Sequence, residues 1–506
     1  QQDNETNNSS SGGGGRGGFG GGGLGGILMS LLPILIKNPK LLIVVAVLGG
    51  GYYMFSGGCS GSTNMSQAFS NFNKGATLDP KVFDEAEVFE PLSPEGNTLP
   101  ERVSLEKYAP KRLNQGQQGS CVGWGSSYAA RTILQSIATG QDPNSVAFSP
   151  SFLYNQIGLE GCQGSYVQRA MENLTQVGDL PFTQFAYDEN SCDKKPTSAE
   201  RNAAAAFRMK GANRLTKNGD DQTLDLLAMK QNIAQGAPVV IGMMVGGSFM
   251  QDMMGTKVWL PTQDDYEMSN FGGHCMCVIG YDDYLEGGCF QLMNSWGEEW
   301  GEKGLAWVRY KDFTYFAKEA YGVYPMGRAD VPQSQNFKVN VGLLSNASKQ
   351  LINFKSIGTN SFETTTPLNK GDKFKIQIQN SAECYTYVFG QETDGSSYIL
   401  FPYTPKHSPY CGIVGTRVFP KDYSLQADDK GNKDYMAVVI TKQPLDYKKL
   451  NDAINATKKP TYADKVNTVL AAELANIKYT VSNTINIDAE GNGKNAAAFI
   501  LTINKN

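Results

Sequence analysis

The chain has 506 residues, of which 40% are hydrophobic, with 24 Tyr and 24 Phe. This length exceeds one ordinary domain, and the apolar content supports roughly two to four packed domains. Lys and Arg total 45 against 49 Asp and Glu, a net charge of −4, which gives no indication of nucleic-acid binding. The two histidines, His274 and His407, are too few for a metal site built from several imidazoles.

Nine cysteines are spread along the chain without any CxxC pair. Cys275 and Cys277 stand two apart within an apolar run, a spacing that does not favour zinc. The number and spacing are compatible with an oxidising compartment and a few disulfides. We therefore predict no metal site and no cofactor.

The N-terminal region divides into a tail and an apolar stretch. Residues 1–26 are polar and then Gly-rich, a composition that cannot bury a core, so we predict a disordered tail. Residues 27–56 are apolar apart from a KNPK interruption that would be costly in the middle of a bilayer. The best spanning segment is therefore 41–55 with the glycines that follow.

The charges around this stretch predict its orientation. Arg16, Lys37 and Lys40 precede the span, and no Lys or Arg follows before Lys74. This asymmetry puts the N-terminus in the cytoplasm and the rest of the chain in the periplasm or outside the cell. We predict one N-terminal transmembrane helix, so that the protein is a single-pass, membrane-anchored protein.

Two other interpretations of the apolar stretch stay open. A buried core helix is disfavoured because the stretch lacks polar spacing and has a disordered flank. Cys59, in SGGCSGS directly after the span, is compatible with a lipoprotein anchor, although Ser56 stands where an aliphatic residue is typical. A lipid would tether the chain to a membrane as the helix would.

The residues that carry chemistry begin with Cys121, in LNQGQQGSCVGW, where a Gly-rich turn enters a predicted helix. A helix N-terminus and a cationic imidazole lower the pKa of a thiol by several units, so this cysteine is a candidate nucleophile. Gln115 carries an amide that can donate to a developing oxyanion. Downstream lie His274, in GGHCMCVIGYDD, and Asn294, in LMNSWGEEWGEKG, which complete a thiolate–imidazolium pair with an orienting amide.

These motifs, taken together, resemble those of papain-family cysteine peptidases. The resemblance covers about residues 99–328 and includes GCQGSY at 161–166 and AYDENSC at 186–192. It implies an α+β fold with a helical lobe and a β-barrel-like lobe. It also implies cleavage of a protein or peptide substrate without a cofactor.

The resemblance further assigns roles to individual residues. Gln115 and the backbone N–H of Cys121 would form an oxyanion hole, and Trp296 would cover the hydrogen bond between His274 and Asn294. The substrate-binding positions that it implies are Gly164, Ser165, Gly273 and Trp296.

Several positions depart from the family pattern. Val122 stands where a tryptophan is usual, and Gln118 replaces a half-cystine. Ser165 occupies a position where glycine lets the substrate backbone approach, so we expect its side chain either to narrow the non-primed cleft or to alter backbone pairing there. Cys162 and Cys192 have each lost their family partner, and we predict that they pair with each other.

Local signals place these motifs on elements. We predict a helix from Cys121 to Gly140, and a second helix with Ser149 as N-cap and Pro150 at its first position. A helix and a strand follow in MKQNIAQGAPVVIGMMV. CMCVIGYDD, CFQLMNSWG and GLAWVRY then alternate as strands with Gly-rich turns.

Residues 336–506 have a different texture, with alternating apolar and aromatic strands separated by polar turns. This pattern predicts an antiparallel β-sandwich with one helix, in YADKVNTVLAAELAN. The region also resembles a bacterial domain of unknown function that is attached to extracytoplasmic peptidases. Cys384 and Cys411 are candidates for a disulfide inside it, and its expected role is to dock an envelope partner.

The sequence thus predicts a membrane-tethered, papain-like cysteine endopeptidase of the bacterial envelope. The predicted domains are a disordered tail (1–26), a membrane anchor (27–56), a linker (57–98), a peptidase domain (99–328) and an accessory domain (336–506). The linker is too short and too poorly helical for the long helical pro-segment that is usual in the family, so the restraint on activity stays open.

Two alternative functions stay open at this point. The first is a catalytically silent scaffold or binding protein, motivated by Val122, Ser165 and the missing family disulfides. The second is an exopeptidase or a transferase that uses the same thiolate.

Overall fold

A computed structural model describes residues 73–94, 97–330 and 336–506. The predicted tail and membrane anchor lie outside these ranges. Within them, no helix combines the length and apolar character needed to cross a membrane. The described residues all belong to one compact unit, Phe69–Asn506.

The first part of this unit contains eight helices and an eight-stranded sheet within its described residues. Its helices are α1 (Pro80–Asp84), α2 (Cys121–Gly123, Trp124–Arg131 and Thr132–Thr139 in succession), α3 (Pro150–Ile157), α4 (Val167–Gln176), α5 (Ser198–Ala204), α6 (Leu226–Ala234), α7 (Gly247–Gln251) and α8 (Tyr310–Phe316). Its strands are β1 (Arg102–Ser104), β2 (Ala212–Arg214), β3 (Val239–Val245), β4 (Val258–Trp259), β5 (Gly272–Asp282), β6 (Cys289–Met293), β7 (Leu305–Arg309) and β8 (Ala317–Val323).

Helix α2 carries Cys121 at its first position, as predicted. Its middle segment, Trp124–Arg131, is wound as a π-helix, and both flanking segments are α-helical. The helix ends at Gly140, whose φ of 71° is a left-handed conformation that glycine adopts without a side-chain clash. Helix α3 also begins as predicted, because the Ser149 hydroxyl accepts the N–H of Phe152 at 3.0 Å.

The sheet of this part holds His274 in its interior. The strand order is β2-β8-β3-β5-β6-β7-β4, with β1 also paired to β5, and its ladders are antiparallel except for β4 with β7. Strand β5 is buried from His274 to Tyr281, and His274 is in register with Met243 of β3. Helix α2 contacts this strand: a methyl group on Gly125 would approach the Cys275 sulfur to 2.8 Å. The glycine therefore lets the helix and the strand pack closely.

The C-terminal part is a β-sandwich with helices on one face. Its strands are β9 (Asn336–Ser345), β10 (Phe354–Ser356), β11 (Ser361–Thr364), β12 (Lys373–Asn380), β13 (Cys384–Gln391), β14 (Ser397–Phe401), β15 (Tyr410–Cys411), β16 (Gly415–Phe419), β17 (Leu425–Gln426), β18 (Lys433–Thr441), β19 (Thr480–Val481), β20 (Ile485–Glu490) and β21 (Ala496–Asn504). Its helices are α9 (Tyr447–Ala456) and α10 (Tyr462–Leu470). One core lies between the two sheets, and a second lies between the β13–β18–β21 face and the helices.

Three expectations for this part need correction. Two helices are present instead of one, and the helix that was not predicted, α9, has Leu450 and Ile454 as its buried residues. The sheets are antiparallel except where β11 runs parallel to β21. Cys384 and Cys411 are cross-strand neighbours on β13 and β15, but both are free thiols.

Residues 73–94 were predicted to belong to an irregular linker, and they instead pack closely against the rest of the unit. Helix α1 is capped by Asp79, whose carboxylate accepts the N–H of Lys81 at 2.9 Å. The apolar side chains of this segment are buried: Phe83, Val88, Phe89 and Leu92. Their burial explains why a polar-looking segment holds a fixed path.

Candidate active site

Cys121 lies at the N-terminus of α2 and is completely buried. Its sulfur accepts the backbone N–H of Cys275 at 3.3 Å, so the nucleophile candidate contacts the peptide group that follows His274. Burial raises the pKa of the Cys121 thiol to about 12, although backbone N–H groups including those of Cys275 and Gly75 act in the opposite direction. Burial therefore favours the protonated thiol in this arrangement.

His274 and Asn294 are joined as the sequence predicted. The Nε2–H of His274 donates to Asn294 Oδ1 at 2.7 Å, and the same oxygen accepts the N–H of Ser295 at 2.7 Å. The other ring nitrogen, Nδ1, has no hydrogen-bond partner among the described residues, which leaves it available as a base. Trp296 covers the imidazole, with the ring centroids 4.4 Å apart and nearly parallel.

The environment of His274 favours the neutral ring. Burial lowers the pKa of His274 to about 4, the hydrogen bond that His274 donates to Asn294 raises it, and the charge of Lys74 lowers it further. A raised thiol pKa and a lowered imidazole pKa together favour the neutral pair over the thiolate–imidazolium pair. The site as described is therefore in a resting protonation state.

Gln115 is buried and held at both ends of its amide. Its Oε1 accepts the Ser295 hydroxyl at 2.6 Å, and one Nε2–H donates to the Gln118 carbonyl at 2.9 Å. The second Nε2–H is left for another acceptor. The Gln115 carbonyl accepts the Tyr187 hydroxyl at 2.7 Å, which fixes the loop before α2.

Residues 73–79, which we call the cleft strap, lie over Cys121 as an extended chain. The Ser165 N–H donates to the Gly75 carbonyl at 2.8 Å, and the Thr77 N–H donates to the Ser165 carbonyl at 2.9 Å. The N–H groups of Gly75 and Ala76 both approach the Gly273 carbonyl, at 3.2 and 3.1 Å. The strap is thus bound by its backbone on two sides of the cleft.

The ends of the strap are also held. The Trp296 Nε1–H donates to the Asn73 carbonyl at 2.9 Å, and the Asn73 side-chain amide donates to the Gln117 carbonyl. Lys74 reaches the Asn270 carbonyl at 3.4 Å. The strap therefore contacts the loop that carries Gln115, the strand that carries His274 and the indole that covers the imidazole.

Three glycines make this close approach possible. A methyl group on Gly75 would lie 2.0 Å from the Gly119 carbonyl oxygen, and one on Gly164 would lie 2.5 Å from the Gly75 oxygen. A methyl group on Gly273 would lie 2.0 Å from the Ala76 oxygen. Because all three neighbours are backbone atoms, no rotamer change relieves such contacts.

Two of the positions that depart from the family pattern have a structural explanation. The Ser165 hydroxyl donates to the Ile157 carbonyl at 2.9 Å, and the Ser165 backbone still pairs with Gly75 and Thr77, so the structure shows neither of the two expected effects. Gln118, which replaces a half-cystine, donates to the Asp188 carbonyl at 3.2 Å, so its side chain joins the loop before α2 to the loop that contains Asp188. The predicted pairing of Cys162 with Cys192 is confirmed as a disulfide.

Sequence reasoning missed three contributors to the site. Ser295 and Tyr187 form hydrogen bonds with Gln115. Both lie within motifs that support the family resemblance, NSWG and AYDENSC, and these motifs were the signal that could have indicated them. The cleft strap had no such signal, because it binds through backbone groups and leaves no periodic side-chain pattern. Among the described residues, no cluster of His, Cys, Asp or Glu has the makings of a metal site.

Comparison with known families agrees with this geometry. The family model described as papain family cysteine protease matches residues 100–325. A second model, described as a domain of unknown function (DUF4384), matches residues 368–444. Residues 100–325 thus match the family of papain-like cysteine proteases, and the enzyme class is a cysteine-type peptidase.

Relatives extend over the same half of the chain. An uncharacterized peptidase C1-like protein of Acanthamoeba polyphaga mimivirus is 28% identical over 257 residues, which cover 48% of this chain and 75% of that protein. The cathepsin B-like CP2 of Giardia intestinalis is 26% identical over 197 residues, 38% of this chain and 62% of its own length. The matched region therefore spans less than two thirds of the Giardia relative.

A solved structure is similar as well. Xylellain, a cysteine protease from Xylella fastidiosa, is 23% identical, with a TM-score of 0.37. The similarity covers 50% of this chain and 91% of xylellain.

Proposed function

We propose that this protein is a papain-like cysteine endopeptidase that hydrolyses peptide bonds through Cys121, His274 and Asn294. The observation that carries the proposal is the cleft strap, an extended backbone paired with Ser165 and Gly273 directly over the thiol. A cleft that pairs with main-chain N–H and C=O groups is suited to a polypeptide substrate of varied sequence. The strap occupies that place in the resting enzyme.

The proposed reaction begins when the strap leaves and water reaches the site. The loss of burial lowers the pKa of Cys121 and raises that of His274, so the proton moves from sulfur to Nδ1. The thiolate then attacks the substrate carbonyl carbon, and the negative charge that forms on oxygen is held by Gln115 Nε2–H and the Cys121 N–H.

The remaining steps use His274 as acid and then as base. The imidazolium gives its proton to the leaving amine, which leaves a thioester on Cys121. His274 next takes a proton from water, the hydroxide attacks the thioester, and the thiolate departs as the carboxylic acid is released. Asn294 Oδ1 holds the Nε2–H throughout, so Nδ1 stays directed to the proton transfers.

The test compares hydrolysis of an internally quenched peptide library by the full chain and by variants. We define Gly75→Ala as the strap-released variant, because its methyl group would collide with the Gly119 backbone. We expect cleavage of internal bonds to rise in this variant and to disappear when Cys121→Ala or His274→Ala is added. Cys289→Ala, a buried thiol on β6, serves as the matched control.

The alternatives give different results in the same assay. A silent scaffold would leave the strap-released variant without hydrolysis, and its alkylation at Cys121 would be slow and independent of His274. An exopeptidase would release only terminal residues from the library. Rapid, pH-dependent alkylation confined to Cys121, together with cleavage of internal bonds, supports the endopeptidase.

We further propose that the enzyme is tethered to a membrane by residues 27–56, with the peptidase domain in the periplasm or outside the cell. The apolar run and the positive charges that precede it support this proposal. Full-length protein should stay in the membrane after alkaline extraction, and Val45→Arg should release part of it. Recovery of the unaltered chain in the soluble fraction would refute the tether.

The accessory domain is proposed to dock an envelope partner. Its separate β-sandwich core supports an independent binding role. Crosslinking of the full chain in its native membrane, followed by mass spectrometry of peptides from 336–506, tests this assignment. Crosslinks confined to residues of this same chain would argue against it.

A further inference from the structure

The segment that follows the cleft strap lies between the peptidase domain and the C-terminal domain. The Asp84 carboxylate forms ion pairs with Arg214 of β2, at 2.7 Å, and with Lys406 of the C-terminal domain. Arg214 is completely buried, and each domain therefore supplies one cation that pairs with Asp84. We call residues 84–93 the clamp segment.

The backbone of the clamp segment serves both domains in alternation. The Val88 N–H donates to the Lys406 carbonyl at 2.6 Å, and the Val88 carbonyl accepts the Ser408 N–H at 3.0 Å. On the other edge, Arg214 accepts the Phe89 N–H at 3.0 Å and donates its own N–H to the Glu87 carbonyl at 2.8 Å. In an extended strand, the backbone N–H and C=O groups of successive residues point to opposite edges. Neither domain alone therefore satisfies all the backbone hydrogen-bonding groups of the clamp segment.

The far end of the clamp segment repeats this arrangement. Leu92 exchanges two hydrogen bonds with the Gln231 side chain of α6, at 2.8 and 2.9 Å. The next residue, Ser93, donates to the Thr416 carbonyl at 2.9 Å, and the Glu90 carbonyl accepts the Arg417 Nε–H at 3.1 Å. Contacts with the peptidase domain therefore alternate with contacts to the C-terminal domain along the clamp segment.

Direct contacts between the two domains combine ion pairs with buried apolar packing, which includes Ile413 of the C-terminal domain in the core of the peptidase domain. Ion pairs join Lys210 to Glu383 at 2.6 Å and Lys421 to Asp225 at 2.9 Å. One aromatic stack joins Tyr324 to Tyr410, with centroids 3.8 Å apart. Partly exposed ion pairs contribute little individually, so the clamp segment and the buried side chains between the domains supply most of the specific docking.

We propose that the C-terminal domain is the inhibitory clamp of the peptidase: by docking on residues 84–93 it keeps the cleft strap over Cys121, and its displacement opens the site. The strap binds as a tethered ligand, so its occupancy depends on the effective concentration that its anchor sets. When the C-terminal domain is displaced, Val88 loses its hydrogen bonds to Lys406 and Ser408, and Ser93 loses its hydrogen bond to Thr416. This proposal rests on the proposed function only in calling the cleft an active site.

The test reverses the charges through which the C-terminal domain contacts its neighbours. The triple charge-reversal variant carries Lys406→Glu, Lys421→Glu and Glu383→Lys. The surface control variant carries Lys355→Glu, Lys449→Glu and Glu392→Lys, which make the same charge changes within the C-terminal domain, away from the clamp segment. Both are made in the full chain, and circular dichroism verifies that each is folded.

Two measurements report strap occupancy without using hydrolysis. Hydrogen exchange followed by mass spectrometry should show faster exchange of the amides over 73–79 in the triple variant. Alkylation of Cys121 by iodoacetamide, measured on its own peptide, should accelerate on the order of tenfold over the control, because three attractive pairs become repulsive. Strap exchange equal to that of the surface control variant overturns the proposal.

The same experiment separates this proposal from the proposed function. If the triple variant opens the strap and exposes Cys121 but no variant cleaves any peptide, the proposed hydrolysis fails and the clamp stands. If the strap-released variant cleaves peptides while the triple variant matches its control, the hydrolysis stands and the clamp fails.

Discussion

Replacing Gly75 by alanine should convert the resting enzyme into an open one. The methyl group would lie 2.0 Å from the carbonyl oxygen and 2.4 Å from the carbonyl carbon of Gly119. Both atoms belong to the backbone of the loop that precedes α2, so the strap is the part that must move. Gly75 lies between this loop and Ser165, where the strap approaches both most closely.

The magnitude follows from the hydrogen bonds that the strap makes. Four backbone bonds join Gly75, Ala76 and Thr77 to Ser165 and Gly273. Each is worth about 0.5–1.5 kcal/mol net, so the loss of most of them weakens strap binding by about 2–4 kcal/mol. Because 1.4 kcal/mol corresponds to tenfold, the open fraction should rise on the order of 30- to 1,000-fold.

The assay is the second-order rate of Cys121 alkylation by iodoacetamide in the full chain. Gly358→Ala is the matched control, since a methyl group there meets only Ser361 at an ordinary 3.4 Å. The buried thiol has a pKa raised to about 12 while the strap covers it, so the unaltered chain should react slowly. An alkylation rate in Gly75→Ala equal to that of Gly358→Ala would refute the assignment of the strap as the cover of the site.

Three further outcomes follow from the structure. Asn294→Ala in the strap-released variant should lower kcat/KM roughly 5- to 150-fold, because a buried hydrogen bond worth about 1–3 kcal/mol no longer orients the imidazole; an unchanged pH–rate profile and kcat/KM would contradict this role. Reduction of the Cys162–Cys192 disulfide, which links residues 30 apart, should lower the free energy of unfolding by about 3 kcal/mol, and a Cys162→Ser, Cys192→Ser protein should show no further loss on reduction. Burial raises the pKa of Glu90 to about 8, above its ordinary 4.5, so the unfolded chain releases this proton first and stability falls as the pH rises from about 4.5 to 8. Between pH 5 and 7, the free energy of unfolding measured in urea should fall less steeply in Glu90→Gln than in the unaltered chain, by about 1 kcal/mol per pH unit. The exposed Glu392→Gln variant should behave like the unaltered chain.

The catalytic constellation was open to prediction because its signals are local. Cys121 follows a Gly-rich turn at a helix start, and His274 opens an apolar strand, so each motif also fixes the element that carries it. The structure brings Asn294 to the imidazole as the order of motifs predicted. The catalytic roles of these residues stay predictions until the variants are measured.

The cleft strap was not open to prediction, for a physical reason. The strap binds through main-chain N–H and C=O groups, which every residue carries. Within the strap, Gly75 must be a glycine because a side chain there would collide with the backbone of Gly119, which is distant in sequence. Local composition therefore pointed to a linker. The side chain of Ser165 was misjudged for a related reason, since its hydroxyl partner, the Ile157 carbonyl, is a backbone group that no motif marks.

The strap and the clamp segment lie on one continuous stretch of chain, so the segment that the C-terminal domain binds also holds the strap covalently. The strap leads directly into α1, and Asp84, the last residue of α1, is also the first residue of the clamp segment. A single break of the chain there would turn a tethered inhibitor into a separate peptide, whose hold on the cleft would depend on dilution instead of on geometry. Cleavage of the chain at this point would therefore activate the enzyme irreversibly. Displacement of the C-terminal domain would activate it reversibly.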